Sequence, residues 1–177
     1  MTDFRDRILI DNPRKGRISR YKPAVLVLVP LGAILFQVYV PLFFQSLSYL
    51  EMPLLVTVYF ALMRRQPVAG TIIGASIGLI QDSLSHQPLG MMGIVKTLVG
   101  YFGASVSLRF DVENGAIRVV LGFFFFFFHQ FFYWVLARSL LGQDLNFDVT
   151  QTFLFGLLNA VVALPLFHIL DKLKERS

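Results

Sequence analysis

The chain has 177 residues, no cysteine, 55% hydrophobic residues, only 15% charged ones and a net charge of +5. Soluble domains carry about a quarter charged residues, so this composition excludes an ordinary water-soluble domain and points to an integral membrane protein. The missing cysteines exclude disulfides, thiolate metal sites and cysteine nucleophiles.

Residues 1–22 form a polar tail with Arg5, Arg7, Arg14, Lys15, Arg17, Arg20 and Lys22. The tail is too polar, and the apolar run after it too long, for a cleavable signal, so we expect a cytoplasmic tail. Its basic cluster reads first as a topology determinant, with two alternative roles: holding anionic lipid headgroups, at about 1 kcal/mol per Lys or Arg near the surface, or contacting a cytoplasmic protein. Six apolar segments follow, at about 23–44, 47–63, 67–81, 89–110, 117–141 and 149–170. They define an all-α membrane domain over 23–171, with a short basic end at 172–177. A bilayer core needs roughly 20 helical residues, so the second and third segments are short and need partners.

Charge sets the expected orientation. Arg64 and Arg65 lie between the second and third segments, Arg109 and Arg118 between the fourth and fifth, and Lys172, Lys174 and Arg176 after the sixth. With the tail, 14 of the 16 Lys and Arg residues fall on one side, leaving Arg138 opposite and Lys96 within a span. The positive-inside rule then places both termini in the cytoplasm. The same scatter among segment ends argues against nucleic acid as a partner.

The third segment carries Gly70, Gly74 and Gly78 at every fourth position, with Asp82 continuing the row. Such a row lines one helix face and lets another backbone approach closely, as internal packing or as a partner's groove. Lys96 lies about 10 Å inside the fourth span and is costly there. Gly93, Gly100, Gly103 and Ser107 share its face, which therefore looks inward. Asp82 is the economical ion-pair partner for Lys96, and Glu51 the runner-up.

In the fifth span, Phe123 to Phe128 cover every helix face, so most should meet lipid. His129 and Gln130 follow near mid-depth, as does Asn159 in the sixth span, and a hydrogen bond across helices among these groups is expected. His86, His129 and His168 sit at different depths and do not converge on a metal. No His-x-x-x-His, paired-carboxylate or glycine-rich phosphate motif appears, so neither a catalytic set nor a cofactor site is expected.

The stretch from Pro53 to Tyr101 resembles the rod shape-determining MreD family. The features are Pro53 leading into Tyr59, Arg65-Gln66-Pro67, the glycine row with Asp82, and Leu89-Gly90; Asn159, Pro165, Lys172 and Lys174 fit the family's ending. The resemblance implies a non-enzymatic inner-membrane subunit of the bacterial cell-elongation machinery. Its implied partners are the single-span coiled-coil protein MreC, a RodA-type glycosyltransferase, a penicillin-binding transpeptidase and MreB filaments. It also implies the six-helix fold of the substrate-binding subunits of energy-coupling-factor vitamin transporters. Such a subunit is the alternative function, although the first span has only Ala24 and Ala33 where a transporter would carry a closely spaced alanine patch.

Overall fold

A computed structural model describes residues 21–85 and 88–174. The basic tail before Tyr21, His86 and Arg176 lie outside the described residues. Among the described residues there are six α-helices, α1 (Pro23–Phe43), α2 (Met52–Arg64), α3 (Pro67–Leu84), α4 (Met91–Ser107), α5 (Gly115–Leu141) and α6 (Val149–Asp171), and no strand. Proline in the first turn opens α1, α2 and α3, where its missing N–H costs nothing. Pro67 also holds Gln66 extended, at φ −125° and ψ 110°, which separates α3 from α2. Asn114 caps α5 and Asp148 caps α6 by accepting backbone N–H bonds from Ala116 and Gln151. Gly142, at φ 62°, ends α5 in the left-handed region.

Four stretches are long and apolar enough to cross a membrane: α1, Gln45–Arg64, α5 and α6. The second is not one helix. Gln45–Tyr49 forms a 3-10 turn, the chain breaks at Leu50 and Glu51, and α2 starts at Met52. Its 13 residues reach only about 20 Å at 1.5 Å per residue, short of a bilayer core of about 30 Å. α2 is buried at every position from Pro53 to Met63, so its neighbours and not lipid surround it. It is the centre of the bundle.

The other helices pack around α2, and α3 and α4 form a tight antiparallel pair. α1 lies at the periphery, with Val27, Leu28, Leu42 and Phe43 more than 60% exposed. An apolar surface of that kind suits lipid rather than water. The phenylalanine run behaves differently from expectation. Phe125 and Phe126 are fully buried, Phe123, Phe127 and Phe128 are partly covered, and Phe124 alone of the six is exposed. The reason is that α6 and α4 flank α5 on two sides, with Phe123 against Phe153 and Phe128 against Phe102.

Candidate functional site

The polar and small residues singled out by sequence fall into three groups along the bundle. In the first, the glycine row of α3 lies on the backbone of α4. A Cβ at Gly70 would meet the Gly100 carbonyl, one at Gly74 the Lys96 carbonyl, and one at Gly78 the Met92 carbonyl, each closer than a real Cβ contact. Positions 92, 96 and 100 repeat every fourth residue, so two four-residue ladders run antiparallel in backbone contact. The groove of α3 is therefore filled by α4.

Asp82 closes this helix pair at its turn. Its carboxylate accepts backbone N–H bonds from Gly90 (3.0 Å), Met92 (3.1 Å) and Gly93 (3.0 Å). These are orphan donors at the start of α4, and a carboxylate there satisfies them while complementing the helix dipole. Gly90 makes the turn possible at φ 93°, where a side chain is strained. The ion pair expected between Asp82 and Lys96 does not form, because the helix start takes both carboxylate oxygens.

Lys96 is fully buried and turns toward α5 instead. Its Nζ lies 3.3 Å from His129 Nε2 and donates to Met92 Sδ at 3.6 Å. His129 is buried too, and its Nδ1 has no hydrogen-bond partner. The roles of donor and acceptor in this contact follow the ring's tautomer, and either arrangement joins α4 to α5 through these two buried groups. His129 thus joins the lysine of α4 rather than the asparagine of α6.

Asn159 forms the second group. Its Oδ1 accepts the Glu51 N–H (2.9 Å), and its Nδ2 donates to the Tyr49 and Phe155 carbonyls (2.9 Å each). The fully buried amide therefore ties the break before α2 to α6 and satisfies backbone groups that the chain break leaves open. Gln37 of α1 adds a bond from the Met52 N–H at 3.2 Å. Glu51 Oε2 is buried and has no hydrogen-bond partner.

The third group escaped the sequence reading. Arg118, expected in a charged loop, lies inside the first turn of α5 and is only 8% exposed. It pairs with Asp171 at the end of α6 and donates from Nε to the Val112 carbonyl. Lys174 also pairs with Asp171, at 2.8 Å. The Tyr59 hydroxyl of α2 donates to Asp171 Oδ1 (2.9 Å) and accepts from Tyr21 (3.0 Å). The pattern offers no signal for this: Tyr59 and Asp171 are 112 residues apart.

The Pro53 and Tyr59 positions thus frame α2, Pro53 in its first turn and Tyr59 anchoring its far half to α6. No group of three or more His, Asp or Glu residues suited to a metal occurs among the described residues. Two polar cavities of about 240 and 180 Å³ adjoin each other between the turn at Ser48–Glu51, α5 and α6. An apolar hollow of about 420 Å³ lies between α4 and α5 around Val106, Ile117 and Phe124.

The model of the family described as rod shape-determining protein MreD matches residues 19–176. No curated protein and no solved structure matches the chain.

Proposed function

The chain belongs to the rod shape-determining protein MreD family, and from that membership we propose that it is a non-enzymatic scaffold of the bacterial cell-elongation complex. In this reading it spans the inner membrane six times with both termini cytoplasmic. It binds an MreC-like coiled-coil protein and, with it, influences a RodA-type glycosyltransferase and a penicillin-binding transpeptidase, with MreB filaments on the cytoplasmic side. The fold of energy-coupling-factor substrate-binding subunits belongs to the same reading. The observation that carries the proposal is the family match over nearly the whole chain.

The internal geometry supports a scaffold in a second way. Asp82, Asn159, Tyr59 and Arg118 are engaged in holding helices together. Residues so used fix the shape of the outer helix faces, which are what a membrane partner meets. Exposed apolar faces of this kind occur on α1, with Leu28 and Leu42, and on α6, with Leu154 and Val161.

Orientation is tested by single cysteines placed in this cysteine-free chain. Cysteines at Arg65 and Glu113 are expected to resist an impermeant maleimide applied from outside, whereas those at Ser46 and Asp144 are expected to react. Outside labelling at Arg65 would overturn the orientation. Function is tested in a rod-shaped bacterium deleted for its own family member. Expression of this chain is expected to restore rods and to allow co-purification of the coiled-coil partner; round cells without the partner at full membrane levels would reject the proposal.

A further inference from the structure

Glu51 lies in the chain break between the Gln45–Tyr49 turn and α2, on the side of the bundle opposite the Asp171 network. On α5, twelve residues separate Arg118, in the Asp171 network, from Gln130, which lines the same cavity as Glu51. That is about 18 Å of helix, more than half of a bilayer core of about 30 Å. The cavity opens at that far side, where Ser48, Tyr49 and Gln151 are exposed, so a polar solute can reach Glu51 from outside the bundle.

The chemistry of the lining is one-sided. The larger cavity, about 240 Å³, is lined by Ser48, Tyr49, Glu51, Gln130, Gln151 and Thr152 among others. Gln130, Gln151 and Thr152 continue into the adjoining cavity, which adds Tyr133, Trp134 and Asp148. Carboxylates, amides and hydroxyls line both spaces, and among the described residues no Lys or Arg does. Asp148 is committed to capping α6 through the Gln151 N–H. The buried Oε2 of Glu51 accepts no hydrogen bond. The charge of Glu51 reaches the buried Lys96, but the two make no ion pair, because Lys96 is turned to His129 and Met92. Tyr49 borders the space with its ring stacked on Phe155 at 4.0 Å between centroids, which gives the cavity one rigid aromatic wall.

We propose that this cavity binds one organic cation, a guanidinium or ammonium group, through the free oxygen of Glu51 and the surrounding amide and hydroxyl groups. The volume takes a group of arginine or lysine size. The cation is carried either by a free small amine or by a basic side chain of an external partner segment, and both present the same donors to the carboxylate. Charge-assisted hydrogen bonds of this kind are the strong ones and demand a fixed acceptor, which the backbone bond from Glu51 to Asn159 supplies.

The single tryptophan, Trp134, borders the adjoining cavity and provides the readout. The detergent-solubilised full chain is titrated with ethylguanidinium, with the neutral isostere ethylurea, and with the peptide acetyl-Gly-Gly-Arg-Gly-Gly-amide. A saturable fluorescence change with a cation but not with ethylurea is expected, weakened at least ~10-fold in Glu51→Gln, as loss of a charged hydrogen bond implies. Tighter binding of ethylguanidinium assigns the source to a free amine, and tighter binding of the peptide assigns it to a partner's side chain. Gln151→Arg, at an exposed position whose side chain lines both spaces, tethers a guanidinium in the cavity. It is expected to fold and to lose the response to added cation, which decides the matter even if Glu51→Gln does not fold. Equal response to ethylurea, an unchanged affinity in folded Glu51→Gln, or no saturation with either cation would overturn the proposal.

Discussion

Gly74→Leu is expected to leave little or no folded protein in the membrane, and Gly74→Ala to destabilise by about 1–3 kcal/mol as an overpacked contact. The new Cβ falls on the Lys96 carbonyl, which is backbone and has no rotamer to yield. Relief requires α3 and α4 to separate, which also breaks the Gly70–Gly100 and Gly78–Met92 contacts above and below. Gly32→Leu is the matched control. It sits on the outward side of α1, where an added Cβ meets nothing within 4 Å, and it is expected to leave folding unchanged. Membrane abundance and thermal unfolding in detergent measure both. Normal folding of Gly74→Leu would mean that the two helices are not in backbone contact.

Asp82→Asn is expected to be more damaging than Lys96→Met, and the double variant is expected not to recover the loss. Asparagine retains one acceptor oxygen, but its NH₂ then faces backbone donors that need acceptors. Hydrogen bonds to a charged group contribute about 1.5–3 kcal/mol each, so losing even one of the three is a large fraction of the stability of a domain. Lys96→Met removes the cost of a buried cation but leaves His129 Nε2 buried without its partner, which costs about 1–3 kcal/mol before that relief is counted. Among the described residues Met92 hydrogen-bonds to both, through its N–H and its sulfur. With that shared partner the double variant is expected to depart from the sum of the singles by about 0.5 kcal/mol or more, without the recovery that a direct ion pair gives. Recovery in the double variant would restore the direct ion pair that the geometry replaces.

The helix layout is legible in the sequence because its punctuation is local. Proline at 23, 53 and 67 and glycine at 142 mark helix ends through backbone restrictions that any sequence reader can apply. The glycine row is legible for the same reason, as periodicity on one face. What the row packs against is not, since the matching ladder on α4 includes Met92 and Lys96, whose carbonyls and not side chains make the contact. The cost of burying Lys96 correctly demands a partner, but the nearest carboxylate along the chain, Asp82, does not pair with it directly. The left-handed turn at Gly90 delivers the start of α4 to Asp82, and proximity in sequence then serves the backbone instead of the lysine. Arg118 was misplaced because a charge near a segment end reads as a loop, whereas Asp171, 53 residues later, lets it enter the bundle. The break before α2 was invisible because Leu47 to Met63 is apolar throughout except near Glu51, and Asn159, 108 residues away, is what makes the break tolerable.

A scaffold reading makes a sharp demand of the interior: residues that hold helices together can be changed without loss of function wherever the fold survives. Lys96→Met is the most telling case, because a buried lysine facing a buried histidine is also what a proton-transfer or ligand-turnover centre would use. The decisive measurement is the shape of cells deleted for their own family member and producing Lys96→Met at wild-type membrane levels. The account predicts rods of normal width. Round cells with abundant, folded Lys96→Met protein would contradict it and move the activity from the outer helix faces to the lysine itself.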